Sequence, residues 1–178
     1  MSNCTIEHKD EFDKMMCAKY PKMFKNRFKP MTETCMCWGF DIGPGWYKII
    51  EETCGKLQLL SDAFGLQAVA AQIKEKFGTL RFYFDIEDAD VVSKTKEERK
   101  IAADIMYDIV TRAEEETAYT CEACGERGTL RGTGWVVTLC DKDWEGYQKE
   151  RCNIFDKAKE KYNKAFKFEK DDILEGKV

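Results

Sequence analysis

The chain is 178 residues long, 43% hydrophobic and 35% charged, with a formal net charge of −4 and a pI near 5.3. Such a chain can bury one core, which excludes wholesale disorder, and its acidic balance gives no global attraction to nucleic acid or anionic lipid, so any anion site has to be local. With no basic-then-apolar leader and no run near the ~18 apolar residues of a membrane span, the chain reads as cytoplasmic, where nine cysteines, an odd number, point to metal binding or buried thiols rather than to full disulfide pairing.

Residues 9–20, KDEFDKMMCAKY, predict a short helix with Phe12, Met15, Met16 and Tyr20 on one side, ended by Pro21. An irregular stretch holding Cys35 and Cys37 leads to GPGWYKII, where a second helix is expected to begin. Pro44 suits its first turn, and Trp46, Ile49, Ile50, Cys54, Leu57 and Leu60 follow with helical spacing up to Gly65. Residues 67–85 then switch to period two. With Phe77-Gly78 as the turn, the expected pairs are Lys76 with Thr79, Glu75 with Leu80, Lys74 with Arg81, Ile73 with Phe82, Gln72 with Tyr83 and Ala71 with Phe84. This register gathers Val69, Ala71, Ile73, Leu80, Phe82 and Phe84 on one face, and a slip by one residue would scatter them.

After the acidic DIEDAD, a long helix over about 91–117 is expected to lay Ile101, Ile105, Ile109 and Ala113, flanked by Ala102, Met106 and Val110, on that apolar face. A glycine-rich, cysteine-bearing segment, 119–140, precedes a last helix from about Asp141 that carries Trp144, Tyr147, Ile154, Phe155, Ala158 and Tyr162. The expected fold is α+β, an antiparallel hairpin sheet packed on helices with an inserted zinc-ribbon-like module. The core takes 1–118, the module 119–145, and a C-terminal helix and tail, 146–178, are expected to pack on the core.

In the module, Cys121 and Cys124 are separated by two intervening residues, Cys140 follows, and Asp143 occupies the place of a fourth ligand. Two ligands from one turn and two from a second, with a hairpin between, bring four side chains onto a tetrahedral Zn²⁺. A carboxylate is an unusual fourth donor, so Cys152, Cys35, Cys37 or water are alternatives, and the opposite reading is a lost site with buried thiols. No Glu or His stands at a catalytic spacing and the sole His8 lies in a terminal segment, so zinc hydrolysis is not expected.

The hairpin's other face sets Lys74 against Arg81 with Lys76 beside them, and like charges directly opposite cost about 0.2 to 1 kcal/mol unless something negative compensates. With Gln72 and Tyr83, these cations suit a phosphate or carboxylate, and Trp46, Trp135 and Arg131 near the glycine turns would add stacking and charge. The competing expectation is that the cations meet the chain's own acids, in DIEDAD or at Glu114, Glu115 and Glu116, and that the tryptophans are core anchors.

The segments YPKMF, PMTETCMCWGFDIGPGWYKIIEETC, IKEKFGTLRFYF and TCEACGERG through GWVVTLCDKDW, in that order, resemble an uncharacterised family of small proteins encoded by tailed phages and prophages. The resemblance covers about Tyr20 to Trp144, with two departures: Pro44 stands where the family has an acid, and Asp143 where it has a histidine. The resemblance implies a context, the host cytoplasm and action on host machinery or host defence, including capture of nucleotide signals.

The leading expectation is therefore a non-enzymatic binding protein that sequesters a phosphorylated small molecule such as a nucleotide immune signal. A protein–protein inhibitor of a host enzyme is the alternative. Nucleic-acid binding through the cysteine module, with Arg127 and Arg131, ranks below both because the chain is acidic. An enzyme ranks last, since no nucleophile with its base, carboxylate dyad or phosphate loop is evident.

Overall fold

The computed structural model describes residues 7–89 and 94–174, with side chains through Lys161. The fold is α+β. Helix α1 (Glu11–Lys19) is capped by the Asp10 side chain, which accepts from Asp13 N, and stops before Pro21. A short strand β1 (Phe40–Asp41) and a single 3₁₀ turn over Pro44–Trp46 lead into α2 (Tyr47–Phe64), which ends on Gly65 in the left-handed conformation that a residue without Cβ adopts at no steric cost. Strands β2 (Leu66–Lys76) and β3 (Thr79–Asp88) form the hairpin, and β1 adds to β2 in parallel, giving the order β1-β2-β3. Helix α3 (Lys96–Thr117) begins with a capping box between Thr95 and Glu98. The small pair β4 (Thr129–Arg131) and β5 (Val137–Leu139) precedes α4 (Asp141–Leu174).

The chain divides into two compact units, Met1–Cys140 and Asp141–Val178. The first holds the sheet, α1 to α3 and the β4–β5 pair, around a core of Met16, Met23, Met36, Phe40, Trp46, Ile50, Leu57, Ile73, Leu80 and Met106, all fully or almost fully buried. In the second, Trp144 stacks on Tyr147, Arg151 lies over the same Tyr147 ring, and Ile154 and Phe155 are exposed. No helix among the described residues is long and apolar enough to cross a membrane.

The hairpin register agrees with the period-two reading from Lys76↔Thr79 through Gln72↔Tyr83 and then departs from it. A bulge puts Ala70, not Ala71, opposite Phe84. One extra residue reverses the side-chain parity beyond it, so Ala68 and Ala70 join Ile73, Leu80, Phe82 and Phe84 in the core, whereas Ala71 is half-buried and Val69 is buried outside that cluster. Helix α3 is also turned from the expected face. Ala102, Met106, Val110, Ala113 and Thr117 are buried, while Ile101 and Ile105 are 58% and 42% exposed. The small side chains of Ala102 and Ala113 let the helix backbone approach its neighbours, an advantage that a stripe chosen by hydrophobicity alone does not weigh. Of the helix expected over 91–117, residues 91–93 lie outside the described residues.

Beneath α1 a buried ion pair ties the N-terminal segment together. The Arg27 guanidinium donates to Asp13 through Nε at 3.0 Å and Nη2 at 2.6 Å, and its other N–H groups reach the carbonyls of Cys37 and Glu7. Desolvation alone would push the Asp13 carboxyl up, but Arg27 and the Lys9 backbone N–H outweigh it and hold it below the ordinary carboxylate range.

Candidate functional site

The cysteine segment folds as a knuckle. Gly125 N donates to Cys121 O at 2.9 Å, Cys121 N to Glu126 O at 2.7 Å, and Thr120 bridges Arg127, so Cys121 and Cys124 sit on one tight turn. The β4–β5 pair then returns the chain to Cys140, whose Sγ lies 3.7 Å from that of Cys124, far beyond a disulfide bond of about 2.05 Å. The thiols of Cys121, Cys124 and Cys140 and a carboxylate oxygen of Asp143 all come within 4.8 Å of one another, and this group could hold a metal ion. Cys35, Cys37 and Cys152, the other candidate ligands, stand outside it.

The knuckle is seated on the core by the two other motifs singled out in the sequence. Gly45 N donates to Glu122 O at 2.8 Å, and Gly43 N to Glu122 Oε1 at 2.9 Å. A Cβ on Gly45 would lie 2.1 Å from Cys121 O, and one on Gly43 2.4 Å from Glu122 O, so both positions need glycine for this approach. Trp46 is fully buried, with its indole N–H on Thr120 O at 2.8 Å. The hairpin turn supplies the second seat: Thr138 Oγ1 donates to Gly78 O at 2.6 Å, and a Cβ on Gly78 would meet Leu130 Cδ1 at 2.2 Å. Trp46, expected as a stacking surface, is therefore a buried anchor and offers no face to a ligand.

Glu122 pays part of the cost of this joint. Burial pushes its carboxyl above the ordinary range, opposed by the Gly43 N–H and reinforced by the nearby charges of Glu75 and Asp41.

On the polar face of the hairpin Lys74 and Arg81 pair across the strands, with Asp41 of β1 next to Lys74 on the other side. Asp41 is held by Lys9 at 3.4 Å. Arg81 turns back along its own strand to Thr79 Oγ1 at 2.7 Å and Leu80 O at 2.6 Å. Lys74 lies over the Tyr83 ring and Lys76 over that of Phe77. Among the described residues, none of these three cations forms a salt bridge, and three of the acids expected to meet them are engaged elsewhere. Glu87 pairs with Lys25, Asp88 with Arg99, and Glu114 accepts from Phe82 N.

Of the expected ligand residues, Lys76 and Trp135 are brought together, in a cleft of about 200 Å³ shared with Glu75, Phe77, Gly134 and Val136. Lys74, Arg81, Gln72 and Tyr83 lie on the adjoining face outside it, and Arg131 donates through Nε to Leu139 O, spanning β4 and β5. Phe77 was missed by sequence reasoning. It is 68% exposed, as Trp135 is 67% exposed, and it adopts φ 56°, a left-handed backbone that is strained for a bulky side chain. The signal was present: a type I′ turn prefers Asn before Gly, and here the place is taken by Phe.

A second group, His8, Asp13 and Cys17, also lies within 4.8 Å. Its carboxylate is already saturated by Arg27 and Lys9 N, and burial, followed by the Asp13 charge, pushes the Cys17 thiol up to about 12. A protonated thiol beside an engaged carboxylate makes a poor metal site.

No protein-family model, curated protein or solved structure matches the chain.

Proposed function

We propose that this protein is a non-enzymatic binding protein whose recognition surface is the hairpin tip with the neighbouring β4–β5 loop, and that it takes an anionic ligand carrying a flat ring, of the class of phosphorylated nucleotides. The observation that carries this reading is Phe77. A bulky residue held at positive φ is a cost that persists at functional positions, and its ring stands exposed beside Trp135 with the ammonium of Lys76 in the same cleft. The cleft, at about 200 Å³, is smaller than the ~300–1,000 Å³ of pockets that enclose a whole small molecule. It suits a single ring, with the phosphate left outside toward Lys76, Lys74 and Arg81.

In the same reading the cysteine group is a structural zinc site, with Asp143 as fourth donor in a zinc-ribbon-like module. In a tetrahedral site with Zn–S bonds of about 2.3 Å the sulfurs are about 3.8 Å apart, and the 3.7 Å between Cys124 and Cys140 matches that spacing. The ion would lock the knuckle on which the β4–β5 loop, and hence Trp135, depends.

A nucleotide panel followed by thermal shift and by tryptophan fluorescence tests the proposal. At least one phosphorylated nucleotide is expected to raise the melting temperature by mass action, and Lys76→Ala and Trp135→Ala to remove the shift. Phe77→Asn relieves the strained turn, so it is expected to raise the melting temperature of the protein alone while weakening the ligand shift. A ligand shift untouched by all three variants would end this assignment.

One observation favours a second reading. Leu130, also exposed, sits against the same turn, so the tip presents three large apolar side chains together. Such a cluster suits an anchor in a protein interface, and a host protein would then be the partner. Loss of a purified partner's binding in Leu130→Ser with nucleotide shifts unchanged would separate the two.

A further inference from the structure

Strand β3 forms one edge of the three-stranded sheet, opposite the two-residue β1. Its backbone parity is set by two bonds: Leu80 N–H donates to Thr117 Oγ1 at 3.0 Å, and Phe82 N–H to Glu114 Oε1 at 2.9 Å. Both residues thus turn their main-chain groups away from β2, and by strand alternation Phe84 and Ile86 do the same, the bulge lying in β2 and leaving β3 regular. Over the first half of β3, side chains of α3 take the place of a missing strand. Among the described residues, the outward N–H groups of Phe84 and Ile86 have no such acceptor. Where the substitution stops, a cleft of about 380 Å³ opens between Phe84 and Asp85 of β3 and Tyr107, Val110, Thr111 and Glu114 of α3. Tyr107 is 51% exposed, its ring 4.9 Å from that of Phe84.

We propose that the outer edge of β3 over Phe84–Asp88 is a strand-addition site for an extended, basic segment of another protein. Main-chain pairing would satisfy the outward groups, with alternate side chains of the added strand falling on opposite faces. On the inner face an apolar side chain meets Phe84, Tyr107 and Val110. The charged residues lining the cleft are Asp85 and Glu114, both acids and neither in a salt bridge among the described residues, while farther along the strand Glu87 and Asp88 already pair with Lys25 and Arg99. Lysine or arginine therefore fits the outer positions. A second copy of β3 does not: antiparallel pairing over Phe84–Asp88 would set Asp85 of each copy against Glu87 of the other, and like charges across a ladder are destabilising.

The test is an amide-resolved NMR titration of the full chain with acetyl-KVKVK-amide and, separately, acetyl-EVEVE-amide at millimolar concentration. The basic peptide is expected to shift the Phe84 and Ile86 amides, slow their exchange, and bind about ten-fold tighter than the acidic one, as two favourable cross-strand charge pairs imply. Ile86→Pro removes an outward N–H without touching the ladder to β2, and is expected to abolish the effect. Asp85→Lys, which leaves the backbone intact, is expected to reverse the peptide preference. Equal binding of both peptides, no perturbation of these amides, or unchanged binding of the basic peptide in the two variants overturns the proposal. So does protection of the same amides that depends only on protein concentration, which would assign the edge to a second copy.

Discussion

The indole N–H of Trp46 donates to the main-chain carbonyl of Thr120, so the side chain that starts α2 also holds the residue before the first knuckle cysteine. Trp46→Phe keeps the apolar bulk but leaves that carbonyl without its donor, a loss of about 1–3 kcal/mol. Thermal denaturation of the metal-loaded protein should register it. Gly45→Ala is expected to cost more, since its Cβ would meet Cys121 O at 2.1 Å and Gly125 N at 2.5 Å, both backbone atoms.

Metal removal should act on the tip as well as on the knuckle. If the proposed zinc site holds, protein purified without added metal is expected to carry about one zinc per chain, because Cys121, Cys124, Cys140 and Asp143 make a single group that could hold one ion. Chelation, or Cys140→Ser, should lower the melting temperature and increase solvent quenching of Trp135 fluorescence. Substoichiometric zinc by elemental analysis would refute the assignment.

The Asp13–Arg27 pair is buried on both sides, with side-chain exposures of 0% and 2%. Arg27→Leu strands the carboxylate and is expected to cost about 3–5 kcal/mol, read as a drop in the urea midpoint. Because the folded state holds Asp13 below its ordinary range, its stabilising contribution is present above the unfolded value and is lost as pH falls through the lowered one. The wild-type protein should therefore lose stability more steeply than Asp13→Asn below about pH 4.

Glu122 has the opposite sign. Its folded carboxyl sits above the unfolded value, so its favourable contribution is complete in acid and disappears as pH rises through the raised folded value. Glu122→Gln keeps an acceptor for Gly43 N and removes the charge. It is expected to raise the melting temperature near neutrality, with the gain shrinking toward about pH 4. An equal gain at both pH values would show that the charge is not the cause.

The parts of the fold that could be read in advance are those carried by a repeated local pattern. Alternation over 72–83 gave the hairpin pairs, and Pro44 and Gly65 bracketed α2. What escaped has no pattern of its own. Strand β1 is two residues long, the bulge at Ala71 is one inserted residue, and Asp13 and Arg27 find each other from a helix and an irregular segment. The thiol group and Asp143 were visible as spacing, and Lys76 and Trp135 as candidates. Their association through Phe77 depends on how the β4–β5 pair seats on the turn, which no local rule specifies.

That seat grips the knuckle almost entirely by its main chain. The core and its loop meet the carbonyls of Thr120, Cys121 and Glu122 and the amide of Gly125, whereas the side chains of Ala123, Glu126 and Arg127 face outward. A grip on backbone shape is indifferent to what the finger displays. The three outward positions are thus free to diversify, and the joint acts as a socket that could accept fingers of different surface chemistry while GPGW and the cysteines stay fixed.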